Sequence, residues 1–163
     1  MDTIHRAIAS SFTKLLKQYP VVTVTGPRQS GKTTLVRALC EGYAYINLED
    51  PDTREIAARD PRAILNKYPD RLIIDEIQRV PQLLSYIQVI VDEAKRDGMY
   101  VLTGSHQLEL QQAIGQSLAG RTALLQLLPL SLAELSAAGI QKSVNELLLT
   151  GFYPRIYQKA ARG

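Results

Sequence analysis

Gly26-Pro27-Arg28-Gln29-Ser30-Gly31-Lys32-Thr33 satisfies the spacing G-x-x-x-x-G-K-[ST]. Glycines at the two ends let the backbone curl so that successive N–H groups face one point. A helix beginning at the lysine adds positive potential there, and the result is a cradle for phosphate oxygens. In such a cradle Lys32 reaches the β- and γ-phosphates of a nucleoside triphosphate, Thr33 places its hydroxyl on Mg²⁺, and Thr34 supplies a second phosphate contact. Residues 26 to 34 are therefore the candidate nucleotide-binding set.

A second group with chemistry is Leu72-Ile73-Ile74-Asp75-Glu76, an apolar run that delivers two carboxylates. At the C-terminal edge of a parallel sheet it meets the phosphate cradle. Asp75 would hold Mg²⁺ through water, and Glu76 would orient and deprotonate a water aimed at the γ-phosphate, which favours hydrolysis over transfer to an acceptor. Leu102-Thr103-Gly104-Ser105-His106 is a third tip on the same edge. There Ser105 can sense the γ-phosphate or position the water, Gly104 permits close backbone approach, and His106 reads as a turn residue.

These groups need elements to hold them. Val21 to Thr25 is a β-branched strand leading into the glycine loop, and Thr33 to Cys40 continues as helix, with Cys40 as a packing residue. Ala44–Leu48, Arg71–Asp75, Met99–Thr103 and Thr122–Leu127 read as four more strands. Helical spacing of apolar residues predicts helices over 4–18, from Pro81 to a stop at Asp97-Gly98, and over 107–118. Pro51 and Pro61 each follow an aspartate, the order of an N-cap and a first helical residue. Ser131-Leu132-Ala133-Glu134 has the form of a capping box. Glu49 and Asp50 end the second strand on the phosphate edge, with Asp50 read as the helix cap. Alternating strands and helices indicate a parallel sheet covered on both faces.

The chain has 163 residues, 45% of them apolar, and a net charge of +3. That suits one globular domain and neither requires nor excludes a nucleic-acid partner. Arg54, Arg59, Arg62, Lys67 and Arg71 are interspersed with acids and read as an exposed face. One cysteine and two histidines exclude an internal disulfide and a zinc cluster of Cys and His. Neither a signal-peptide pattern nor an apolar run of about 18 residues occurs, so the expectation is a cytoplasmic protein without membrane attachment.

GPRQSGKTT, NLEDPD, DPRAIL, LIIDEIQRVPQLLSYIQ, LTGS, SLAGRTALLQLLPLS and GFYPR together resemble the AAA-type P-loop ATPase core of a bacterial and archaeal family usually followed by a C-terminal domain of unknown function. The resemblance spans nearly the whole chain. It implies an α/β P-loop NTPase fold with a five-stranded parallel sheet in the order 2-3-4-1-5, in which residues 26–33 and 72–76 are the Walker A and Walker B elements. Residues 1–20 would be an N-terminal helix packed on the core, 21–130 the nucleotide-binding core, and 131–163 the start of a helical lid, so that the chain reads as truncated. It further implies that Arg121 is an arginine finger acting on the ATP of a neighbouring subunit in a homo-oligomer, and that Arg155 is a candidate phosphate sensor. Gln78 and Arg79 belong to the family signature, touching a neighbour or forming a solvated turn. The expected activity is Mg²⁺-dependent ATP hydrolysis by Lys32, Glu76, Ser105 and Arg121, with Thr33 and Asp75 on the metal. A non-catalytic nucleotide-gated switch is the alternative, a P-loop kinase the weaker third. The client, protein or nucleic acid, stays open.

Overall fold

The computed structural model describes residues 4–105 and 108–160. Its centre is a five-stranded sheet of β1 (Val21–Gly26), β2 (Ala44–Asn47), β3 (Leu72–Asp75), β4 (Tyr100–Ser105) and β5 (Thr122–Gln126). The strands lie in the order β2-β3-β4-β1-β5, and every pairing is parallel. All C-terminal strand ends therefore open on one edge, where Asn47 lies in register with Asp75 and Gly26 with Ser105.

Strand alternation divides the core. Leu72 and Ile74 of β3, with Tyr100 and Leu102 of β4, point to one face and pack against Leu83, Leu84 and Ile87 of α5 (Leu83–Ala94) and Leu110 of α6 (Leu108–Ser117). Ile73, Val101, Val22 and Val24 point to the other, against Phe12 of α1 (Ala9–Leu16) and Val36 of α2 (Lys32–Leu39). Each fully buried aliphatic side chain contributes about 1.5–3 kcal/mol of transfer free energy. Burial on both faces is why these strands are nearly continuous apolar runs.

Helix ends follow the capping chemistry. Asp50 accepts from Thr53 N at 2.9 Å to start α3 (Pro51–Arg59), and Asp60 accepts from Ala63 N at 2.9 Å to start α4 (Pro61–Lys67). Ser131 and Glu134 form the reciprocal box that opens α7 (Leu132–Ala137). A second box, Ser143 with Glu146, opens α8 (Val144–Thr150), and α9 (Pro154–Ala160) follows. Leu130, Leu135, Leu147 and Tyr157 close a small core there, with Ile4 packed on it.

Two helices differ from the sequence expectation. α1 begins at Ala9: ahead of it Ile4 packs on this small core, and Arg6 and the Ala7 N–H bond to Glu134. α5 ends at Ala94, where Lys95 adopts a left-handed conformation and its N–H caps Val91; Gly98 serves the next turn, donating to the Tyr19 carbonyl at 2.9 Å. Cys40 ends α2 as a buried packing residue, and burial pushes its thiol up to about 12. His106 and Gln107 lie outside the described residues.

Candidate active site

Asp75 is the hub of the site. Its carboxylate, 4% exposed at the end of β3, accepts from Thr33 Oγ1 at 2.8 Å, Tyr45 OH at 2.8 Å and the Thr103 hydroxyl. Thr103 Oγ1 in turn accepts from the Glu76 N–H at 3.2 Å, fixing the peptide that follows the hub. The Tyr45 phenol is pushed above its ordinary value by burial and then by its bond to Asp75, so it stays a donor, and Arg37 stacks over its ring at 4.8 Å.

The loop between β1 and α2 curls as the glycine spacing predicts. Gln29 and Gly31 both have positive φ, 64° and 95°, which builds an anion-binding concavity from backbone N–H groups. A β-carbon on Gly26 would lie 2.1 Å from the Leu127 carbonyl oxygen, so only glycine lets β1 turn beside the end of β5. Lys32 lies back across the loop, donating to the carbonyls of Gly26 at 3.0 Å and Pro27 at 2.9 Å. Burial lowers its ammonium below the usual lysine range, against the opposing pull of Glu76 and Asp75. Arg28 turns outward to Glu49 at 3.0 Å, and Arg79 grips the same carboxylate with two bonds of 2.9 Å.

A cavity of about 570 Å³ brings Gly31, Lys32, Thr33, Thr34 and Glu76 to one space, which Arg6, Leu130, Pro154 and Arg155 also line. That volume suits a small-molecule ligand. Glu76 has positive φ (61°), and its carboxylate accepts from the Gln78 amide. Ser105 is in register with Gly26, and its buried hydroxyl has no partner among the described residues. The close approach at Gly104 is to Leu110 and Gln78, which a β-carbon would meet at 2.4 and 2.8 Å.

Arg121 stands apart from this group. It precedes β5, at the N-terminal edge of the sheet opposite the loop, and holds Asp92 of α5 with two bonds of 2.6 and 2.8 Å. Arg6, the Tyr45 bond to Asp75 and the Gln78 clasp on Glu76 carry no motif or periodicity in the sequence. Arg6 acts on residues 24 to 128 positions away, which no local spacing signals.

The donors around Asp75 are all oxygen, from a carboxylate and hydroxyls, and they adjoin a phosphate cradle. That suits Mg²⁺, a hard cation which takes one or two carboxylates and completes its shell with water and phosphate. Among the described residues no group of three or more His, Cys, Asp or Glu could form a metal cage.

A parallel sheet in this order, a phosphate loop after β1 and an acidic pair closing β3 define an AAA-type P-loop ATPase core. The model of a family described as an AAA domain matches residues 18–136, and the chain belongs to that family. An uncharacterized protein of Mycobacterium tuberculosis, Rv2008c, is 32% identical over 140 residues, which is 84% of this chain and 31% of the relative. The chain thus spans about a third of that relative's length. The Walker-type ATPase PABY2304 of Pyrococcus abyssi superposes with a TM-score of 0.63 at 17% identity, covering 93% of this chain and 64% of the other. The FIGL-1 AAA domain in complex with ADP gives 0.53 at 15% identity, with 91% and 60% covered. At these identities the two structures show the fold alone. Among the described residues no helix is long and apolar enough to cross a membrane.

Proposed function

We propose that the protein binds Mg·ATP in the cavity behind the phosphate loop and hydrolyses it. The observation that carries this is the convergence of Lys32, Thr33 and Glu76 on one space, with Asp75 bonded to Thr33 at 2.8 Å. The loop N–H groups and Lys32 would take the β- and γ-phosphate oxygens, Lys32 exchanging its two carbonyl partners for them. Thr33 and Asp75 would hold the Mg²⁺, whose chemistry when bound is to neutralise charge on those oxygens. Glu76 takes a proton from water as the water oxygen bonds to the γ-phosphorus. The bond from that phosphorus to the β,γ-bridging oxygen breaks, giving ADP and inorganic phosphate. Ser105, on the neighbouring strand tip, reads the γ-phosphate or places the water.

Arg121 faces away from its own loop, so its part as a finger is played on the ATP of a neighbouring copy, within a homo-oligomer. A guanidinium beside the γ-phosphate is typically worth about 10³- to 10⁵-fold in rate. In this reading residues 1–20 brace the core of 21–130, residues 131–163 begin a lid over the nucleotide with Arg155 as phosphate sensor, and the protein works in the cytoplasm on a client the site does not name. Glu76→Gln should retain Mg·ATP binding by calorimetry and lose phosphate release at least 10²-fold; an unchanged rate removes Glu76 from the mechanism. A second reading, a nucleotide-gated switch without turnover, is favoured by Glu76 resting on Gln78 and Arg121 on Asp92. Phosphate release measured against protein concentration separates the two: a specific rate that climbs with concentration supports the finger in trans, and no turnover at any concentration supports the switch.

A further inference from the structure

Arg6 belongs to no nucleotide motif, yet it is 7% exposed and reaches three separate parts of the chain. Nη1 donates to the Ser30 carbonyl at 2.8 Å, Nη2 to the carbonyls of Leu128 at 2.6 Å and Pro129 at 3.4 Å, and Nε to Glu134 Oε1 at 3.0 Å. The same Glu134 oxygen accepts from the Ala7 N–H at 2.8 Å, while Oε2 accepts from Ser131 N at 2.8 Å to cap α7. One guanidinium thus ties the N-terminal segment, the phosphate loop, the exit of β5 and the head of α7.

The contact with Ser30 bears on phosphate binding through peptide geometry. A trans peptide is planar, so its C=O and N–H point in opposite directions, and no cis peptide occurs among the described residues. With the Ser30 oxygen bonded to Arg6, the Gly31 N–H therefore points the opposite way, away from the guanidinium. Gly31 tolerates either sign of φ, so the peptide before it is free to rotate unless something holds it. The Ser30 side chain does not hold it, because its buried hydroxyl has no partner among the described residues. A rotated peptide would aim a carbonyl oxygen at the phosphate and repel it. A β-carbon on Gly31 would lie 3.6 Å from Arg6 Nη1, so the guanidinium sits against this residue at the wall of the same cavity.

We propose that Arg6 is a positioning residue for the phosphate loop: it holds the Ser30–Gly31 peptide with its N–H toward the bound phosphate and, through Glu134, makes that orientation depend on the N-terminal segment and α7. The inference rests on the nucleotide reading above.

Calorimetry with Mg·ADP and the Gly31 backbone amide resonance test it on the full chain. Arg6→Gln is expected to weaken Mg·ADP binding at least tenfold and to shrink the nucleotide-induced shift of the Gly31 amide. Arg6→Lys, which keeps a cation able to donate to the Ser30 carbonyl, should recover most of both. Wild-type affinity in Arg6→Gln overturns the proposal, as does an Arg6→Lys variant as weak as Arg6→Gln with the Gly31 shift intact. If Arg6→Gln lacks a cooperative thermal transition, Glu134→Gln takes its place: severalfold weaker binding with a displaced Gly31 amide supports the coupling, and an unmoved amide with wild-type affinity refutes it. No Mg·ADP binding by the wild-type chain would overturn the nucleotide reading, and this inference with it.

Discussion

Asp75 gathers three hydroxyl donors on one carboxylate, so its negative charge is satisfied before any ligand arrives. Hydrogen bonds to a charged group contribute about 1.5–3 kcal/mol each. Tyr45→Phe removes one of them and should lower stability by about that amount, read as a fall in the urea midpoint at constant m-value. Lys32 differs in that its two partners are backbone carbonyls of the loop itself. Lys32→Ala should abolish detectable Mg·ATP binding by calorimetry; full binding would remove the lysine from the ligand's contacts. Lys32, Thr33, Asp75 and Glu76 were legible because each is placed by a short-range device, a loop of fixed spacing or the end of a strand. Tyr45 and Arg6 were not, since only the approach of β2 to β3 and of the N-terminal segment to α7 brings them in.

Helix boundaries show the same division at the scale of elements. Asp50, Asp60 and Ser131 announced their helices because a cap is a contact across three residues, and Ser143-Val144-Asn145-Glu146 carried the same signal unread. α1 and α5 fell short of their apolar periodicity because other contacts took the ends: Ile4 goes to the small core, Arg6 and Ala7 bond to Glu134, and Lys95 caps Val91. Asp60 both ends α3 and caps α4, so Asp60→Ala should destabilise the pair by about 1 kcal/mol, and a thermal midpoint equal to wild type would contradict that role. The strand order became visible from sequence only through resemblance to an AAA-type core. Strand periodicity by itself does not say which strand lies beside which.

Across the whole molecule, the tie between Arg6 and Glu134 makes stability depend on pH. Burial alone would raise the Glu134 carboxyl, but the N–H groups of Ser131 and Ala7 and the Arg6 guanidinium outweigh it and hold the group below its ordinary value. A carboxyl depressed by folding contributes stability that is present above its unfolded value, roughly pH 4.3, and is lost as pH falls through the folded one. Glu134→Gln should accordingly flatten the acid limb of a stability–pH curve, and an identical limb would show that the tie adds nothing. Asp92→Asn acts at the opposite sheet edge by releasing Arg121. With a finger in trans, this variant should reach half-maximal phosphate release at lower protein concentration. Finally, the residue after Asp75 is a glutamate with φ 61°, a backbone region that disfavours any residue with a β-carbon and that proteins tolerate where chemistry demands it. Glu76→Gly should then melt later than the native chain, so a screen for heat resistance would select the variant that has lost the carboxylate proposed to activate water.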